Sequence, residues 1–207
     1  MTIDIEAALR KVDQFFMGEG PVHATLRTLS SRMSAENIDY AVIDGMALVL
    51  RGYERLTVDV DVLLTPEGLQ AFHERMVGRG YLPIFDGARK HFRDTETGVQ
   101  IEIITTGEYP GDGKPKEVSF PSPNESSSEI NGIRVLTLEK LIELKLASGL
   151  SAPHRVRDIA DVQQLIEVLN LPRDIADRLA ESVRSEYLRL WEATRRAREE
   201  KIGPGQE

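Results

Sequence analysis

Apolar positions recur at helical spacing near both ends of the chain and at every second residue in parts of its middle. Ile5, Leu9, Val12, Phe15 and Phe16 share one face of a helix expected from about Ile3 to Phe16, and the Gly18–Pro21 cluster ends it. A second helix is expected from Pro21, a favourable first residue, to about Glu36. Ile38–Asp44 reads as a buried strand running into Gly45, and Gly45–Tyr53 as a short helix. Leu56–Leu64 alternates cleanly: Val58, Val60 and Val62 on one face, Asp59 and Asp61 on the other, which is the period of a strand. Thr65-Pro66-Glu67 starts a helix to about Gly78. Short β-like segments follow at Tyr81–Phe85, Lys90–Arg93 and Val99–Thr105. Gly107–Ser128 reads as a long loop, and Ile130–Leu136 as a strand around the turn residues Asn131-Gly132. From Thr137, expected to cap the first helix, the period is helical: Leu138–Leu146, Val156–Leu169, and a long helix from Pro172 to about Lys201. The tail from Gly203 to Glu207 is expected to be disordered.

This order predicts an α+β fold with a mixed β-sheet, flanking helices and a C-terminal helical region. The expected domains are residues 1–136 and 137–207. Composition narrows the chemistry. The chain has 207 residues and no cysteine, which removes disulfides, zinc-thiolate sites and thiol nucleophiles. The net charge of -8 argues against nonspecific nucleic-acid binding by the whole surface, and suits a carboxylate site that holds cations. No run approaches the roughly 18 apolar residues of a membrane span. The acidic N-terminus lacks the marks of a signal peptide, so a cytoplasmic location is expected.

The candidate chemistry lies in the acidic strand. Asp59 and Asp61 are two apart, so their side chains share a face with Cα atoms about 6.5 Å apart. Two such carboxylates can converge on one cation or a close pair. Mg²⁺ prefers hard oxygen ligands and shares its shell with substrate phosphates. A plain solvent-facing pair is the competing account. It is weakened by the apolar flanks, which imply an interior strand where acids need partners. Glu102 alternates with Ile101 and Ile103 in a later strand and can join the same face as metal ligand or general base, or simply face solvent. Gly45 and Met46 sit at a strand-to-helix junction, where backbone N–H groups can meet a phosphate.

These residues resemble the nucleotidyltransferase superfamily, the polymerase-β-like fold. In this sequence the pattern is GMALVLRGYERLTVDVDVLL followed by IEII. The order Gly45, Ala47, Gly52, Arg55, Thr57, Asp59, Asp61 is most similar to the AbiEii-like branch, the toxin half of a toxin–antitoxin system. A second block, Leu141, Lys145, Arg155, Asp158 and Asp161, follows the same branch, and the resemblance spans roughly residues 38 to 170. It implies an NTP- and metal-dependent enzyme. Asp59, Asp61 and Glu102 would be catalytic and would ligate Mg²⁺ or Mn²⁺. Gly45, Met46, Arg55, Thr57, Lys145, Arg155, Asp158 and Asp161 would bind the nucleotide, such as ATP. The acceptor could be tRNA, a protein or a small molecule, and an antitoxin partner is implied. Met46 departs from the pattern, which has Gly or Ser there. A catalytically inactive nucleotide-binding or partner-binding module of the same fold is therefore the alternative.

Several of these residues also admit a local account. Lys145 in an apolar stripe must snorkel or pair. Arg155 and Asp158, three apart, could be an ordinary helical ion pair. Arg55 could bind phosphate or neutralise Asp59 or Glu54. His91, amid Arg89, Lys90 and Arg93, suits a solvated hairpin or an acceptor contact.

Overall fold

The alternating valines and isoleucines of the chain's middle pair into one mixed, seven-stranded sheet in the computed structural model, which describes residues 5–201. The strands are β1 (Tyr40–Ile43), β2 (Asp59–Leu64), β3 (Tyr81–Pro83), β4 (His91–Asp94), β5 (Gln100–Thr105), β6 (Ser127–Ile130) and β7 (Ile133–Leu136). Their order across the sheet is β3-β4-β5-β2-β1-β7-β6. β2 is interior: it pairs with β1 antiparallel and with β5 in parallel. Both of its neighbours therefore satisfy its backbone, and the apolar flanks of the aspartates have a structural cause.

Helices α1 (Ile5–Phe16), α2 (Pro21–Ala35), α3 (Asp44–Leu50), α4 (Pro66–Arg75) and the single turn α5 (Pro123–Ser126) belong with the sheet. α2 buries Leu26, Leu29 and Met33, and α4 buries Phe72 against Tyr81 and Phe92. Thr65 caps α4 by accepting the Gly68 N–H at 3.0 Å, with Pro66 at the first helical position. In α1 the apolar stripe is mostly uncovered: Phe15 is buried, while Ile5, Leu9 and Phe16 are exposed.

Two compact units make up the chain. One holds residues up to 106 together with 121–137; the other holds 107–120 together with 138 onward. The second unit contains α6 (Leu138–Ser151), α7 (Val156–Val168) and α8 (Glu181–Lys201). Ile142, Leu146, Val162, Leu165 and Val183 are fully or almost fully buried. Gly149 lets α6 and α7 approach closely, because a Cβ there would stand 2.5 Å from Ile159 Cγ1.

Several elements differ from the sequence expectations. Residues 130–136 form a hairpin rather than one strand, and its first strand, β6, begins inside the expected loop. Asn131 and Gly132 both have positive φ, 50° and 78°, the signature of a two-residue type I′ turn. The expected helix from Pro172 begins as a short 3₁₀ turn, Arg173–Arg178, and α8 starts later. The restart is tertiary: the Ala180 N–H donates to Glu143 Oε1 at 2.8 Å, a partner on another helix. β2 starts at Asp59, three residues later than the alternation suggests, and Val58 is exposed. Residues 1–4 and the tail 203–207 lie outside the described residues.

Candidate active site

Parallel pairing of β2 with β5 sets Asp59 opposite Gln100 and Asp61 opposite Glu102. Because side chains alternate along strands, Asp59, Asp61, Gln100 and Glu102 occupy one face of the sheet. The opposite face is apolar: Val60, Val62, Ile101 and Ile103 are almost wholly buried there. Along the polar face burial grades from Asp61, 8% exposed, through half-buried Asp59 to exposed Glu102. Among the described residues, the carboxylate oxygens of Asp59, Asp61 and Glu102 do not all lie within 4.8 Å of one another.

Asp59 is oriented by its own strand's approach. Thr57 is buried, and its hydroxyl donates to Asp59 Oδ1 at 2.7 Å. The same hydroxyl explains Gly45, since a Cβ at 45 would stand 2.7 Å from Thr57 Oγ1. Packing therefore requires glycine at 45. Asp44, the residue before it, adopts φ 48° and lies 3.9 Å from Arg55 Nη1. Arg55 thus faces Asp44, in addition to the Asp59 and Glu54 that its place in the sequence suggests. Met46 is wholly buried, so its side chain serves the core and only its backbone could face a ligand. A cleft of about 310 Å³ opens beside Asp59, lined also by Val58, Thr97, Gly98 and Val99.

His91 joins this face through register. It is the cross-strand partner of Glu102 in the antiparallel β4–β5 pair. The Ile103 N–H donates to the Lys90 carbonyl at 2.8 Å, which makes His91–Glu102 the adjacent non-hydrogen-bonded pair. In such pairs Cα atoms are about 4.5 Å apart and side chains are closest. The basic cluster around residue 91 gave no hint of this, because register is a property of two strands.

In the second unit, Lys145 is 4% exposed and cannot snorkel. Its ammonium pairs with Asp158 Oδ1 and Asp161 Oδ2, each at 2.9 Å. Ser148 donates to Asp158 Oδ2 at 2.6 Å, and Arg155 Nη1 lies 3.9 Å from the same oxygen. The i, i+3 spacing of the two aspartates therefore builds a buried network, in which one lysine side chain is held between two carboxylates.

No family model matches the chain, and no curated protein matches its sequence. Solved structures do resemble it. A provisionally assigned nucleotidyltransferase from Thermotoga maritima aligns with a TM-score of 0.45 and 18% identity, covering 71% of this chain and 91% of its own. A second provisional nucleotidyltransferase, from H. pylori, aligns at 0.46 and 15%, covering 88% and 96%. The antibiotic-resistance factor ANT(2'')-Ia aligns at 0.47 and 13%, covering 83% and 91%. No helix of the described residues is long and apolar enough to cross a membrane.

Proposed function

We propose that this protein is a metal-dependent nucleotidyltransferase that moves a nucleoside monophosphate from an NTP to a hydroxyl acceptor. The observation that carries the reading is the β2–β5 register, with Asp61 beside Glu102 and Asp59 two residues before Asp61 on the same face. The donor set is all carboxylate oxygen, which suits a hard divalent cation. Mg²⁺ or Mn²⁺, held by Asp59, Asp61 and Glu102, supplies charge neutralisation at the phosphates when bound. Glu102, the most exposed of the three, accepts the proton of the acceptor hydroxyl. The acceptor oxygen attacks the α-phosphorus in line, the bond from that phosphorus to the bridging oxygen breaks, and pyrophosphate leaves. Thr57 keeps Asp59 aimed, and Lys145 is fixed by Asp158 and Asp161. The main contribution of the chain is positioning and electrostatics.

The test is incubation with labelled NTPs, Mg²⁺ and cell extract. Label transfer that vanishes in Asp59→Ala supports the enzyme. Metal-dependent NTP binding with no transfer overturns it in favour of an inactive nucleotide-binding module. A role as the toxin of a toxin–antitoxin pair, acting on tRNA or another acceptor, adds a second readout. Induced expression arrests growth, and Asp61→Asn relieves the arrest.

A further inference from the structure

A second cleft, of about 480 Å³, lies on the first unit along α2, opposite the β6–β7 turn. Its polar lining comes from His23, Arg27, Ser30, Ser31 and Ser34, with Asn131 across from them. The five α2 positions follow the spacing of one helix face. Serines keep that face shallow, while Leu26 and Leu29 anchor the helix to the core.

Three properties of the lining point to a ligand. First, Ser30 is 2% exposed, yet its hydroxyl has no hydrogen-bond partner among the described residues. Buried hydroxyls are normally paired, and an unpaired one is costly. Ser30 is also one of the residues that line the cleft. Second, His23 is buried, and its Nδ1 lies 3.2 Å from the Glu19 carbonyl. A carbonyl only accepts, so Nδ1 carries the hydrogen. Burial also lowers the pKa of this imidazole, which leaves it neutral with Nε2 as an acceptor. Third, the lining includes a guanidinium and no carboxylate, in a chain with 34 acidic and 26 basic residues. Arg27 donates one N–H to the Gly18 carbonyl at 3.1 Å and is exposed. A guanidinium has five N–H donors in all.

We infer that this cleft binds a small hydroxylated anion, of which a sugar phosphate is the type: the anion on Arg27, and its hydroxyls on His23 Nε2 and Ser30. The volume falls within the 300–1,000 Å³ common for small-molecule sites. Arg recognises phosphate through paired N–H donors, and the hydroxyls of the ligand satisfy Ser30 and donate to Nε2. The site is independent of the carboxylate face on β2 and β5.

The experiment is an amide-resolved NMR titration of the full chain with ribose 5-phosphate, ribose and inorganic phosphate. Ribose 5-phosphate is expected to shift the amides of Arg27, Ser30, Ser34 and Asn131 saturably, and more tightly than either fragment. Arg27→Gln weakens it at least roughly tenfold, the scale of one lost charge-assisted contact. Ser30→Ala weakens it too, while leaving the free protein folded and at least as heat-stable, because it removes an unpaired buried hydroxyl. No saturable shift at these amides overturns the inference, and so does equal affinity in both variants. Ribose binding as tightly as ribose 5-phosphate overturns the anion assignment. Inorganic phosphate binding as tightly overturns the hydroxyl assignment.

Discussion

Thr57 donates its hydroxyl to Asp59 Oδ1 at 2.7 Å, so the first carboxylate of the candidate site is aimed by the residue two before it. Such outer partners of metal ligands are worth about 10–100-fold in metal affinity or activity. Thr57→Val keeps the volume and removes the bond, and is expected to weaken Mn²⁺ binding by that factor. Thr57→Ser retains most of the affinity. Titration calorimetry checks both. Gly45→Ala tests the same hydroxyl from the other side, because its new Cβ would stand 2.7 Å from Thr57 Oγ1. It should destabilise by about 1–3 kcal/mol in the native background and by less in Thr57→Ala, where the obstructing oxygen is gone. Additive losses in the double variant would show that Gly45 is constrained by something else.

Asp61 is the most buried carboxylate of the polar face, at 8% exposure, and its cross-strand neighbour is Glu102. Asp61→Asn preserves shape and removes the charge. Transfer of labelled nucleotide should fall by more than about 100-fold, beyond what an outer partner contributes. Thermal stability should change little by comparison, since the amide occupies the same space. A variant that loses activity only because it unfolds would contradict this assignment.

What the sequence made readable, and what it did not, follows from the range of the interactions. The pair Asp59 and Asp61 was visible because strand period is local, and Val60 and Val62 between and beside them fixed which face each took. That Glu102 stands beside Asp61, rather than merely in another strand, depends on β2–β5 register. His91 opposite Glu102 was hidden for the same reason. The 3₁₀ turn before α8 was missed because the N–H of Ala180 finds its acceptor on Glu143, far along the chain. The β6–β7 hairpin, by contrast, was announced by Asn131-Gly132. Its first strand is hidden because β6, with Ser127, Ser128 and Glu129, lacks an apolar period.

Lys145 offers a test of the charge network in the second unit. Its ammonium is 2.9 Å from both Asp158 and Asp161, and all three residues are buried. Lys145→Met fills similar space but removes the ammonium that both carboxylates share. Removing one member of a buried pair costs about 3–5 kcal/mol, so the urea midpoint should drop sharply. Adding Asp158→Asn and Asp161→Asn to Lys145→Met should recover much of the loss, because no uncompensated charge is then left buried. A small effect of Lys145→Met alone would mean that the network contributes little to stability.

The last expectation concerns pH. Burial holds the His23 imidazole below its ordinary value of 6.5, more strongly than the Glu19 carbonyl bond raises it; Arg27 adds a smaller push in the downward direction. The unfolded chain therefore binds this proton more readily than the folded one, and stability rises with pH across that interval. The contribution of His23 is fully present above pH 6.5 and is lost as pH falls through 6.5 toward the lowered folded-state value. Glu117 and Glu186 are also held below their ordinary 4.5, by backbone N–H groups of Ser182 and Glu181 and by Arg189 respectively, and their contributions fade only at lower pH. The two effects separate on the pH axis. Unfolding midpoints measured just above and below pH 6.5 should decline with acid in the native chain. In His23→Leu, which keeps an apolar contact for Phe15 but cannot titrate, that decline should flatten while the drop near the carboxylate range persists. An unchanged slope around pH 6.5 in His23→Leu would mean that some other group carries it.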